Sequence, residues 1–203
     1  MLRRDFIKKI LLFSLSFLSL KTKTMANSLL KPFNMEDGIF LNNYVLHKSS
    51  FKDFWKWRKE SNKPIPIGFP VVKNNPDYLK SNKSEKTITW VGHSTFLIQI
   101  DGINILTDPH FTKRASPLSF MGPSRTTPPG LNIDDLPFID LVLISHNHYY
   151  HLDTKTIQLL LKKQAVNQPI FFVPLKLKET ISKLGASNVI EHEWWQMSKY
   201  KNL

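Results

Sequence analysis

Hydrophobic and polar positions alternate through residues 87–99, a stretch rich in Thr, Ile, Trp, Val and Phe, and a period of two in β-formers predicts a half-buried strand. Asp101-Gly102 supplies a tight turn, and residues 103–107 return as the second strand of a hairpin. Residues 139–145 form a short apolar run bounded by polar residues, the pattern of a buried strand. Residues 154–164 then place Ile157, Leu160 and Leu161 on one side of a helix. A strand over 170–173, a helix over 175–184 closed by Gly185 and a last strand over 188–191 complete the series. Strands alternating with helices after an opening hairpin predict α/β layering.

The stretch before the hairpin reads differently. Over residues 27–86, Pro32, Pro64, Pro66, Pro70 and Pro76 oppose long helices and central strands. One short helix is expected at residues 51–60, with Ser50 as cap and Asp53 at its third position, where an acid favours the N-terminal dipole. It carries Phe51, Phe54, Trp55 and Trp57 beside Lys52, Lys56, Arg58 and Lys59. Two readings stay open: rings docked on the β core with solvated lysines, or an aromatic and cationic helix at a membrane interface. A Pro-rich loop over 109–137 is long for a domain interior, and such loops commonly wall a functional site.

Residues 1–26 have the pattern of a signal or anchor: a basic start, an eleven-residue apolar run over 10–20 and Thr24-Met25-Ala26 as a small-residue cleavage candidate. Arg3-Arg4-Asp5-Phe6-Ile7-Lys8 resembles a twin-arginine signal. The apolar run is short of the ~20 residues of a spanning helix. Use of the signal places the protein on the periplasmic side, exported or membrane-associated; otherwise it is cytoplasmic. The expected organisation is therefore 1–26 signal or anchor, 27–86 basic N-terminal extension and 87–203 α/β domain.

Composition narrows the chemistry. The chain has 203 residues, 28 Lys and Arg against 16 Asp and Glu, and a net charge of +12, a field that attracts anionic membranes, phosphates or nucleic acid. Cysteine is absent, which excludes disulfide scaffolds, thiolate metal sites and cysteine nucleophiles. No Gly-rich phosphate loop and no serine nucleophile elbow is present. A metal site must rest on His and carboxylates. Ser145-His146-Asn147-His148-Tyr149-Tyr150-His151-Leu152-Asp153 brings three imidazoles within six residues directly after an apolar strand. Imidazole is a common zinc ligand, and bound zinc generates hydroxide at neutral pH, so hydrolysis is the indicated reaction class.

The His-x-His-x-Asp-His signature of the metallo-β-lactamase superfamily resembles this stretch. Thr89-Trp90-Val91-Gly92-His93-Ser94-Thr95, Leu106-Thr107-Asp108-Pro109, Ala115-Ser116-Pro117, Met121-Gly122-Pro123 and Phe172-Val173-Pro174-Leu175 extend the likeness over residues 51–195. Together they resemble the branch of phospholipases D that hydrolyse N-acyl-phosphatidylethanolamine. The resemblance implies an αββα sandwich, two zinc ions and cleavage of a membrane-lipid phosphodiester. It implies His146, His148 and His151 as metal ligands, with Asp108 and Asp153 as supporting carboxylates.

Two departures shape the expectation. Tyr150 stands where the resemblance implies a ligand aspartate, and a phenol with a reference pKa of ~10 is a poor substitute at neutral pH. The family's remaining ligands belong to a second half that these 203 residues do not include, so the fold expected here is the first half of the sandwich. Partial zinc occupancy and impaired or absent activity of this chain alone are expected, with no complete catalytic set. Expected partners are N-acylated phosphatidylethanolamine or a related phospholipid, an anionic membrane surface and a separately encoded C-terminal half; nucleic acid is disfavoured. The alternatives are a non-catalytic decayed fragment and a basic membrane- or RNA-binding module.

Overall fold

The computed structural model describes residues 34–36, 39–41, 50–60, 70–72, 74–116, 118 and 120–203. The signal or anchor expected over 1–26 lies outside them. The chain divides into two compact units, Met1–Phe54 with Glu193–Leu203, and Trp55–His192. In the first, β1 (Asn34–Glu36) pairs antiparallel with β2 (Ile39–Leu41). Helix α1 (Phe51–Glu60) starts where expected. Asp53 accepts hydrogen bonds from the Ser50 N–H at 2.8 Å and hydroxyl at 2.7 Å, a reciprocal cap of the first turn. It has no buried residue, and Phe51 and Trp57 are largely exposed.

The larger unit is built on a six-stranded sheet in sequential order: β3 (Thr87–Gly92), β4 (Thr95–Ile100), β5 (Ile103–Thr107), β6 (Leu141–Leu143), β7 (Ile170–Pro174) and β8 (Val189–His192). The first three strands are antiparallel, and β5 to β8 are parallel. Helices α3 (Thr154–Lys163) and α4 (Lys178–Lys183) make the β6-to-β7 and β7-to-β8 crossovers, and the long loop after β5 makes the first. Leu97, Leu106, Val142, Phe171 and Val189 lie in one register row and are buried with Ile157, Leu160, Leu161 and Ile181 of these helices. This row explains the apolar run over 139–145: a central parallel strand has no solvent edge.

The opposite face carries a second apolar pattern. Trp90, Phe96, Leu143, Phe172 and Ile190 share one register row, and Ile88, Ile98, Ile105 and Ile170 share the next. Ile88 is 72% exposed, Trp90 52% and Ile190 40%. The exposed members stand on the edge strands β3 and β8, while Leu141 on β6, in the second row, is buried, so the wet apolar surface of this face lies at its two edges.

Three local readings are corrected. The alternation over 87–99 is two strands, because Gly92 at φ +137° and His93 at φ +51° turn the chain between them. Period-two alternation continues across such a tight turn, so the pattern conceals it. Residues 27–86 hold a second helix, α2 (Pro76–Ser81), in which Pro76 occupies the first turn and the Asn75 side chain accepts from the Tyr78 N–H at 3.1 Å. The helix expected over 175–184 is confined to α4.

A buried polar knot joins α2 to the sheet. The Gln99 amide donates to the Leu79 carbonyl at 2.7 Å and to Asn104 Oδ1 at 2.8 Å, while its oxygen accepts from Thr87 and Asn82 at 3.0 and 3.2 Å. Replacing Gln99 with Leu strands these partners, and the expected loss is about 2–4 kcal/mol in urea unfolding. Ile98→Val, on the wet face, should cost under about 1 kcal/mol; equal losses would contradict this account of the knot.

Candidate metal centre

The histidine motif sits at the carboxyl ends of β5 and β6, where parallel strands leave unpaired backbone and where α/β proteins place their sites. Asp108 follows β5 with φ +37°, its N–H donating to the Leu143 carbonyl at 2.8 Å. Its buried carboxylate is surrounded by donors. Oδ1 accepts the Ser145 N–H at 2.7 Å, and Oδ2 accepts the Ser145 hydroxyl at 2.7 Å and His151 Nδ1 at 2.9 Å. Asp153 caps α3, taking the Thr156 hydroxyl at 2.6 Å, and holds the 109–137 loop through the Thr112 N–H at 3.1 Å.

These bonds set the imidazole tautomers. His151 Nδ1 donates to Asp108, which leaves its Nε2 as a lone pair. The Ser145 hydroxyl, having spent its hydrogen on Asp108, accepts from His146 Nδ1 at 2.9 Å, leaving the His146 Nε2 lone pair facing His148 Nδ1 at 3.0 Å. Asp108 thus acts on two histidines, one directly and one through Ser145, in the manner of carboxylates that orient metal-binding imidazoles. The rings of His146 and His151 are 3.9 Å apart and those of His146 and His148 4.7 Å. Burial, together with His151 and His148, holds the His146 pKa below its ordinary value, favouring the neutral ligand form.

Among the described residues, no three His, Asp or Glu side chains are arranged to hold an ion. The chain therefore presents imidazole donors but not a closed coordination set. Tyr150 does not stand in for the aspartate: its ring stacks on His93 at 4.6 Å, and burial raises its phenol pKa.

Sequence reasoning missed the pair beside this cluster. Arg125, from the Pro-rich loop, donates through Nη1 to the His110 carbonyl at 2.6 Å and to His110 Nδ1 at 2.8 Å. His110 is fully buried and its Nε2 has no hydrogen-bond partner. The signal was weak: an isolated histidine after Asp108-Pro109 and an arginine fifteen residues on.

Burial lowers the His110 pKa; the Asp153 carboxylate offsets part of the shift, and Arg125 adds to it. The unfolded chain therefore takes up this proton first. Stability is complete above the ordinary value of 6.5 and declines as pH falls through it and toward the folded-state value. Thermal midpoints between about pH 7.5 and 5.5 should fall more steeply for the native chain than for His110→Phe, with His93 and His146 keeping some slope in the variant; parallel curves would contradict the assignment.

Residues 87–196 match the family described as the beta-lactamase superfamily domain. An uncharacterized protein of Mycobacterium tuberculosis is 32% identical over 178 residues, covering 84% of this chain and 47% of the relative. An N-acyl-phosphatidylethanolamine-hydrolyzing phospholipase D of Caenorhabditis elegans is 38% identical over 118 residues, covering 55% of this chain and 32% of that protein. A metal-dependent hydrolase of Methanopyrus kandleri is 37% identical over 65 residues, covering 32% and 23%. The chain spans about half the length of the mycobacterial relative and less of the others. With its mixed sheet and its histidine loop at the carboxyl ends of the parallel strands, the chain belongs to the metallo-β-lactamase superfamily.

Proposed function

We propose that this chain supplies the histidine-bearing half of a zinc-dependent phosphodiesterase acting on N-acylated phosphatidylethanolamine or a related phospholipid. The observation that carries the reading is the pair of Nε2 lone pairs, on His146 and His151, set by one buried carboxylate at the mouth of a parallel sheet. His146, His148 and His151 would contribute to holding the metal. A bound zinc ion supplies a water of pKa ~7 and polarises a phosphoryl oxygen. The residues of this chain hold and orient donors; the remaining donors come from polypeptide seated on the wet sheet face, encoded separately or in continuation.

The likeness to the Caenorhabditis phospholipase D supports the lipid phosphodiester as substrate class. A basic chain and a helix exposing Phe51, Trp55 and Trp57 among Lys and Arg support approach to an anionic membrane surface. Two apolar register rows on the second sheet face support a docking layer as the partner. Without that layer the coordination set stays open, and this chain alone turns over little or no lipid.

The test is release of N-acylethanolamine from vesicles containing N-acylated phosphatidylethanolamine. The full chain is assayed with zinc, alone and co-expressed with a polypeptide carrying the C-terminal half of the mycobacterial relative. The expected result is a soluble complex with turnover that His146→Ala lowers by about a hundredfold or more. Failure to associate, or a complex whose turnover ignores His146, would overturn the proposal.

A further inference from the structure

We propose that the groove along the edge strand β3 binds a long-chain carboxylate, with Arg125 as its anchor. The groove has a volume of about 500 Å³, within the range of small-molecule sites, and its chemistry is divided. Val71, Val72, Ile88 and Trp90 form apolar walls, while Arg125, His110 and Tyr150 form a polar end. The Trp90 indole N–H donates to the His93 carbonyl at 2.8 Å, which fixes the ring that forms one wall.

The polar end is built around a cation. Arg125 spends Nη1 on His110 and Nε on the Thr127 carbonyl at 3.3 Å, and Nη2 donates to no acceptor among the described residues. Among the described residues no carboxylate lies within ion-pair distance of this half-buried guanidinium. Nη2 occupies the space that a Cβ at position 92 would fill, so Gly92 makes room for it as well as for the turn. The buried His110 ring accepts from Arg125 at Nδ1, so its hydrogen sits on Nε2, the atom without a partner.

With Nη1 and Nε committed, the half-buried guanidinium offers Nη2 to an anionic oxygen, and among the described residues no carboxylate is in ion-pair contact with it. The site carries the Arg125 charge beside a neutral imidazole, with the buried Asp153 carboxylate acting on both from beyond ion-pair distance, so the net charge suits nothing more negative than a monoanion. A carboxylate on an alkyl chain satisfies both ends of the groove: headgroup on Arg125, chain along Val72, Ile88 and Trp90. This site goes beyond the phosphodiester reading and needs no metal; because Ile88 and Trp90 also belong to the face a second layer would cover, it is a site of the chain without that layer, and its titration is read on that chain apart from the turnover of the complex.

The experiment is calorimetric titration of the metal-free full chain with decanoate, decanol, acetate and decyl phosphate. Decanoate should bind at one site, with decanol and acetate each weaker by about tenfold or more. Arg125→Gln should weaken decanoate by a similar factor, and the exposed Lys162→Gln should not change it. Val72→Glu puts a negative charge on a wall position that is 81% exposed. It should weaken decanoate even if the Arg125 variant does not fold. Decanol binding as tightly as decanoate, Lys162→Gln matching Arg125→Gln, or Val72→Glu leaving affinity unchanged would overturn the site. Decyl phosphate binding tenfold tighter than decanoate would overturn the carboxylate assignment in favour of a phosphate ligand.

Discussion

Asp108 is the constraint on which the site rests. A carboxylate buried at a strand end is costly unless donors surround it, and here both oxygens are engaged by Ser145 and His151. Satisfying that one charge fixes where the loop leaves β6, which way Ser145 faces and how His146 and His151 are turned. The constraint reaches back into the sheet: the buried Thr95 hydroxyl donates to the Asp108 carbonyl at 2.8 Å and accepts the His110 N–H at 3.0 Å. The hairpin, the Pro-rich loop and the histidine loop therefore meet at one residue.

The two faces of the sheet explain why the centre is incomplete by itself. One face is closed by α3 and α4 around Phe171 and Val142. The other keeps Trp90 and Ile88 exposed, at the β3 ends of two successive register rows. A loop at a sheet end can converge ligands from only one side. Donors from a second layer would have to face it to complete coordination, and the same layer would bury the wet apolar rows. Under the proposed function, closing the sandwich and closing the site would be one event, driven mainly by apolar burial.

Much of this architecture was legible in the sequence, because periodicity reports burial directly. The run over 139–145 marked the central strand, and Ile157, Leu160 and Leu161 marked the buried side of α3. The Gly92-His93 turn was not legible in the hydrophobic alternation, since a glycine and a histidine at positive φ leave the alternation in phase. Helix α2 is six residues long and carries one buried side chain, Leu79, too few for a helical period to register; its Asn75-Pro76 start was the available signal. The histidine spacing put three imidazoles in one loop, and the fold gathers them beside Asp108. The Arg125–His110 pair was invisible, because it depends on a loop folding back over β3, and no local pattern encodes that return.

The most direct test of the Asp108 relay is long-range ¹H–¹⁵N correlation of the histidine side chains in the metal-free full chain at about pH 7.5. The relay predicts His146 and His151 with the proton on Nδ1 and a lone pair on Nε2, and loss of that preference at His151 in Asp108→Ala. Both rings in the Nε2–H form in the native chain, or tautomers that do not respond to Asp108→Ala, would contradict it.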